Sequence, residues 1–298
     1  MKEIRKILIY GQKIKDETEY NHVTTLLSAI QNHHITPILY SPLKKEIKEY
    51  SDDYKEMDVM ETYRELSDYN PDIIITMGGD GTILQAITLI RGKGIPVLGI
   101  NLGRLGFLAS VEKKLIKKAI DMLVSGAYTT VQRAMLQLEC NLPLFETFPY
   151  ALNDFTLNKR DTSSMITIHT YINDVLLNSY WADGIIISTP TGSTGYSLSC
   201  GGPIIFPDSK NFVITPVAPH NLNVRPIIIP DDSVITLTVE GRTDSFMSTL
   251  DSRYETITSD HRIKIRKADF MLNFVQLKGQ TFMKTLNEKL LWGIDKRN

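Results

Sequence analysis

Two periods of apolar residues divide the chain. Over the first 126 residues, short apolar runs alternate with segments of helical spacing. Residues 7–10 form such a run and end on Gly11, the pattern of a strand buried on both faces. Tyr20, Val23, Leu27 and Ile30 fall on one face of a helix over 17–34. Residues 37–40, 72–76 and 96–100 read as further strands, and the charged stretch 43–69 has weak helical character. Ile83, Leu84, Ile87 and Ile90 predict one more helix. Leu115, Ile116, Ala119, Ile120 and Leu123 predict another, which Gly126 closes. Strands alternating with helices imply βαβ units and a parallel sheet.

After Gly126 the period changes to two. Leu136, Leu138, Cys140 and Leu142 alternate with polar residues, as do Ile166 with Ile168, Ile235 with Leu237 and Val239, and Ile263 with Ile265. This is the signature of antiparallel sheet with one wet face. The boundaries drawn from the pattern are 1–126 for an α/β domain, 127–275 for a β domain, and 276–298 for a tail that packs back on the first domain.

Composition narrows the picture. A length of 298 residues fits two domains at about 150 residues each. Apolar residues at 42% and charged residues at 22% are those of an ordinary globular protein. Lys and Arg number 33 against 34 Asp and Glu, so a nucleic-acid partner is not expected. Two cysteines, Cys140 and Cys200, exclude a disulfide framework and suit a reducing compartment. No run of about 18 apolar residues suggests a membrane span, and the first residues do not read as a signal segment, so a cytoplasmic location is expected. The 18 glycines are ordinary in number but concentrate in four segments, at 78–81, 99–106, 192–195 and 201–202.

Those segments carry the candidate chemistry. Gly78-Gly79-Asp80-Gly81-Thr82 stands between a strand and a helix, where open α/β sheets bind ligands. Glycines let backbone approach a phosphate, and a helix N-terminus offers N–H groups and positive partial charge. A carboxylate there repels phosphate unless it acts as a base or binds through Mg²⁺. The plainer reading is a tight turn with Asp80 as N-cap. Gly99 to Phe107 reads either as a loop passing close to a ligand or as a turn over packed Leu102, Leu105 and Phe107. Phe107 suits a core and a base-stacking face equally.

Asn153-Asp154 suits ribose hydroxyls or an adenine amino group, but also a simple β-turn. The longest segment, 183–203, holds seven Ser and Thr residues between 188 and 199, hydrogen-bonding groups without charge that fit phosphate and ribose. The six histidines lack metal-ligand spacing. Cys200 reads as a space-filler, and Lys113, Lys114, Lys117 and Lys118 as a solvated helix face.

In this order and setting, these segments resemble the NAD kinase family. Residues 78–82 look like its GGDGT, 103–108 like its GxLGFL, 153–154 like its Asn-Glu/Asp pair, and 183–203 like its DG…STPTGSTAYSLSAGGP stretch. The resemblance implies a Rossmann-like α/β domain followed by a mainly antiparallel β-sandwich. It implies Mg²⁺-dependent transfer of the ATP γ-phosphoryl group to the adenosine ribose 2′-hydroxyl of NAD, and a homodimer or homotetramer. By the same resemblance Asp80 is the catalytic base. Asp80, Gly81, Leu84, Phe107, Asn153, Asp154, Asp183, Thr194, Gly195, Tyr196, Ser199, Ala218 and Arg253 line the cofactor and substrate site, and no residue is assigned as a metal ligand. The chain departs from the pattern at Gly195, usually Ala, at Trp181, often basic or polar, and at Asp251-Ser252-Arg253, often Asp-Gly-Gln. Two other readings stay open: a GGDGT kinase acting on a lipid or sugar phosphate, and a nucleotide-binding regulator without catalysis.

Overall fold

The change of period in the sequence becomes a change of sheet type. A computed structural model describes residues 3–160 and 164–291. It contains two units: one takes the chain up to Gln132 and again from Leu272, and the other is Arg133–Met271.

The first stretch runs through β1 (Lys6–Tyr10), α1 (Glu17–Asn32), β2 (Thr36–Tyr40), α2 (Ser41–Lys48), β3 (Asp58–Met60), α3 (Leu66–Tyr69), β4 (Ile73–Gly78), α4 (Asp80–Ile90), β5 (Val97–Asn101), β6 (Val111–Glu112), α5 (Ile116–Val124) and β7 (Tyr128–Arg133). Next come β8 (Leu136–Cys140), β9 (Tyr150–Ala151), β10 (Asp154–Lys159), β11 (Ile166–Ile172), β12 (Val175–Ala182) and β13 (Gly184–Ser188). The short helix α6 (Tyr196–Ser199) precedes β14 (Asn211–Val217), β15 (Ile227–Pro230), β16 (Ile235–Glu240), β17 (Phe246–Leu250), β18 (Arg253–Ile257) and β19 (Ile263–Lys267). The chain then returns to the first unit with β20 (Leu272–Leu277) and α7 (Phe282–Leu290).

In the first unit the sheet order is β3-β2-β1-β4-β5-β20-β7, with β6 beside β5. The central pairs β2–β1, β1–β4 and β4–β5 are parallel. Their apolar runs are buried on both faces: α1 and α5 contribute Leu26, Leu27, Ile30, Ile116 and Ile120 to a core with Ile7, Ile9, Ile73 and Ile75 on one, while Leu8, Ile38 and Ile74 are buried on the other. β3 falls inside the stretch read from sequence as weakly helical. It is a three-residue edge strand, too short to show a period. β7 lies within 127–275 and β20 begins there, yet both belong to the first sheet. An edge strand such as β7, wet on one face, shows period two whichever sheet it joins.

The second unit is two six-stranded sheets, ordered β15-β14-β13-β10-β17-β18 and β12-β11-β16-β19-β8-β9. The pairs within them are antiparallel, β10–β13 and β11–β16 among them. Phe155, Leu157, Ile185, Ile187, Phe212 and Ile214 from one sheet meet Leu136, Ile166, Ile168, Leu237 and Ile265 from the other in one core. β13 does not alternate: all five residues are buried. Its outer face is also covered, since the segment around α6 lies there, with Ser197 Oγ 2.8 Å from Thr215 Oγ1 on the neighbouring β14.

Candidate active site

The first cluster forms where β4 meets α4. Thr82 fills the inside of the turn so tightly that a Cβ on Gly78 would lie 2.1 Å from its Oγ1. Gly79 is the N-cap residue, and no side chain caps the helix. A Cβ on Gly79 or Gly81 would meet nothing within 4 Å, so the backbone here borders open space. First-turn N–H groups lack intrahelical acceptors and carry positive partial charge. That combination suits phosphate oxygens. Leu84 follows as the fifth residue of α4, half-buried.

Asp80 ties this turn to the 103–109 loop. Its Oδ2 accepts the Phe107 N–H at 2.9 Å, and its Oδ1 accepts those of Leu108 at 3.2 Å and Ala109 at 2.9 Å. A Cβ on Gly106 would stand 1.8 Å from Oδ1, so only glycine lets the carboxylate reach the loop. Two motifs that the sequence presents separately are thus one device. Each carboxylate oxygen has two acceptor sites, so Oδ2 keeps capacity for a further partner. The Phe107 ring lies 6.3 Å from that of Phe282 and is half-buried against α7.

The second cluster forms where β9 gives way to β10. Asp154 is the first residue of β10, with its side chain buried. Its carboxyl is pushed up to about 7, first by burial and then by the charge of Asp251. The Asn153 Oδ1 and the Thr191 Oγ1 are buried without a hydrogen-bond partner among the described residues. Buried polar atoms are seldom left so. Gly192 presses on this turn: a Cβ there would lie 2.2 Å from the Asn153 carbonyl oxygen. A Cβ on Gly195 would stand 3.9 Å from both the Asn153 Nδ2 and an Asp154 oxygen.

Much of the hydroxyl-rich run serves the protein itself. Ser188 Oγ donates to the Asn153 carbonyl and Thr189 Oγ1 to that of Leu152. Ser193 Oγ donates to Pro190, and Thr194 Oγ1 to Thr191. Ser197 is paired with Thr215. Thr191 and the exposed Ser199 complete the seven. The density of hydroxyls, read from sequence as ligand contacts, is largely what folds a loop that has no ladder hydrogen bonds of its own.

Tyr196 is exposed at the start of α6. Burial of part of its side chain raises its hydroxyl, with the Cys200 thiol, Asp154 and Asp183 adding to the effect, which places these groups in one electrostatic neighbourhood. Asp183 is paired with Lys159 at 2.6 Å, a partner absent from the sequence reading. The Asp183 N–H also donates to Val217, so Ala218 follows directly beside it, with a left-handed φ of +44°. A non-glycine residue held there is a mark of functional loops.

Arg253 was expected at the ligand. Its guanidinium donates to the backbone carbonyls of Phe148 and Tyr150 and stands 5.1 Å from the Phe148 ring. Asp251, which the sequence does not single out as a ligand contact, has a carboxyl that accepts the N–H groups of Leu152, Asn153 and Asp154. No local signal could have found it, because its partners are 97 to 99 residues away. Among the described residues, no group of three or more His, Cys, Asp or Glu side chains could hold a metal ion.

Residues 12–128 match the ATP-NAD kinase N-terminal domain and residues 152–277 the ATP-NAD kinase C-terminal domain. The NAD kinase of Flavobacterium johnsoniae is 46% identical over 98% of this chain and all of its own length. That of Cytophaga hutchinsonii is 50% identical over 76% of this chain and 78% of its own. Among solved structures, yeast NADH kinase complexed with NADH superimposes with a TM-score of 0.87 at 22% identity, covering 99% of this chain and 89% of that one. The NAD kinase of Archaeoglobus fulgidus in complex with ATP gives 0.73 at 23% identity, covering 97% and 99%. At that identity the two structures speak for the fold.

Proposed function

The chain belongs to the ATP-NAD kinase family, phosphotransferases acting on NAD with ATP, and from that premise we propose which of its residues do the work. The γ-phosphoryl group of ATP passes to the 2′-hydroxyl of the adenosine ribose of NAD, giving NADP. The observation that carries the assignment is the Asp80 carboxylate, fixed by three N–H groups beside the open backbone of Gly79 and Gly81.

Phosphoryl transfer depends on positioning and charge neutralisation more than on covalent help from the protein. The start of α4 supplies N–H donors and partial positive charge to phosphate oxygens. Asp80 orients the 2′-hydroxyl and takes its proton as the new O–P bond forms. Asn153, Asp154, Asp183, Tyr196 and the backbone at Gly195 and Ala218 hold the dinucleotide. With its carboxyl raised to about 7, Asp154 keeps its proton through mildly acid pH and can donate as well as accept.

Mg²⁺ fits this site as an ion carried by the nucleotide. It binds through one or two carboxylates together with phosphates and water, not in an all-protein cage. Asp80 is the carboxylate this chain has at the phosphate turn, and its one open acceptor site would serve either the 2′-hydroxyl or the ion, which would otherwise be held by phosphates and water and would neutralise phosphate charge. Removing divalent cations with a chelator should abolish turnover, and adding Mg²⁺ should restore it.

A homodimer or homotetramer is part of the same reading. Val175, Leu176 and Trp181 on edge strand β12 and Ile228 on edge strand β15 are exposed apolar residues that support it. No helix among the described residues is long and apolar enough to cross a membrane, and two free cysteines suit work in the cytoplasm.

The test offers NAD, NADH, a sphingoid base and diacylglycerol as acceptors, with ATP and polyphosphate as donors. NADP formed from NAD and ATP is the expected product. Phosphorylation of a lipid alone would overturn the assignment.

A further inference from the structure

We propose that Asp251 is a positioning residue for the dinucleotide subsite, holding the peptide 152–154 so that Asn153 and Asp154 present their side chains to NAD. The proposal rests on the assignment of those two residues to NAD.

Asp251 and Ser252 form the two-residue turn between β17 and β18. The Asp251 carboxyl is half-buried, and it accepts three successive N–H groups: Leu152 at 2.8 Å, Asn153 at 2.8 Å and Asp154 at 3.2 Å. Its own N–H donates to the Asp154 carbonyl at 2.9 Å. On the other side of the same peptide, Thr189 Oγ1 takes the Leu152 carbonyl, and the Thr189 N–H and Ser188 Oγ take that of Asn153. Every N–H and C=O from 152 to 154 thus has a partner, apart from whatever the side chains add. A backbone so fully bonded leaves Asn153 and Asp154 few alternative directions. Preorganisation of this kind lowers the ordering cost of binding.

The backbone of Asp251 supports a role for its carboxyl. Its φ is +54°, a left-handed conformation that glycine adopts without steric cost. Folding the turn alone would be served at least as well by glycine, but glycine would leave three N–H groups without their acceptor. Asn tolerates the same conformation and keeps one carbonyl oxygen. Placed as Oδ1 is, that oxygen can still accept from Asn153 and Asp154. Charge and positioning can therefore be separated by substitution.

The experiment compares Asp251→Gly and Asp251→Asn with the wild type. It measures KM for NAD, KM for ATP, kcat and the melting temperature. Asp251→Gly should raise KM for NAD at least tenfold, leave KM for ATP within about twofold, and melt as a folded protein. Asp251→Asn should raise KM for NAD only about threefold. Unchanged KM for NAD in Asp251→Gly, or equal rises for NAD and ATP, would overturn the proposal. So would equal losses in the Gly and Asn variants, which would point to the charge alone. A wild type that does not phosphorylate NAD would instead defeat the assignment on which the proposal stands.

Discussion

The turn at Asp80 and the turn at Asn153 use one device in opposite senses. In each, a single carboxylate accepts three successive backbone N–H groups from a distant part of the chain: 107–109 for Asp80, 152–154 for Asp251. At the first turn the carboxylate belongs to the phosphate loop and is half-buried beside open glycine backbone. At the second it is likewise half-buried, and the residues it holds are those proposed to face the ligand. On the proposed function, the same hydrogen-bonding pattern fixes a reacting group in one place and a binding group in the other. What separates them is their surroundings: open glycine backbone at Gly79 and Gly81 beside Asp80, and a fully hydrogen-bonded peptide 152–154 beside Asp251.

Removing the reacting carboxylate should have the largest effect. Asp80→Ala loses the proton acceptor and leaves three N–H groups of the 107–109 loop without their partner. A general base contributes about 10²–10⁴-fold, so turnover should fall by about a thousandfold or more in a steady-state NADP assay. Retention of more than a tenth of the activity would place the chemistry elsewhere. Next in size is Gly106→Ala. The new methyl must displace an Asp80 oxygen that would lie 1.8 Å away. Turnover should drop by roughly 10–100-fold, as a misplacement near 1 Å costs, while KM for NAD stays near the wild-type value. An unchanged kcat would show that Asp80 does not need this loop.

The second turn should reveal itself through pH. Burial, and after it the charge of Asp251, holds the Asp154 carboxyl at about 7, and burial holds that of Asp251 at about 6 despite three N–H donors and Arg253. An acid whose folded pKa is raised binds more protons in the folded than in the unfolded state. Stability is then full below the usual carboxyl range and is lost as pH rises from about 4 to about 7. Asp154→Asn should remove most of that loss, on the order of 2–4 kcal/mol from the size of the shift, in denaturant melts at pH 4, 6 and 8. A wild-type stability that rises over this range would contradict the assigned burial.

The smallest effect should come from Arg253→Gln. Its guanidinium bonds the carbonyls of Phe148 and Tyr150. The change should cost about 1–3 kcal/mol of stability and move neither KM by more than about twofold. A large rise in KM for ATP would instead make Arg253 a phosphate contact.

Much of this molecule is written locally. The 72–76 run and the glycines after it announced the β4–α4 turn, because a doubly buried parallel strand needs a continuous apolar run. The sandwich strands announced themselves by alternation, as Leu136, Leu138, Ile235 and Leu237 do. β3 did not, since three residues at a sheet edge carry no period. The proposed site was legible where its candidate residues share a segment with the loop that carries them, as at 78–82 and 183–203. It was not legible where a side chain works across the fold. Asp251 and Arg253 act on backbone about 100 residues earlier, and backbone has no sequence signature. The seven hydroxyl residues misled in the opposite way: five of them satisfy their own loop and its neighbours.

The most direct measurement is single-turnover formation of NADP by Asp80→Asn at saturating NAD and ATP, with the NAD dissociation constant measured on the same preparation. Asn keeps one oxygen for the 107–109 loop and cannot take the hydroxyl proton. The rate should fall at least a hundredfold while NAD affinity stays within about threefold. A near wild-type single-turnover rate would contradict the role given to Asp80.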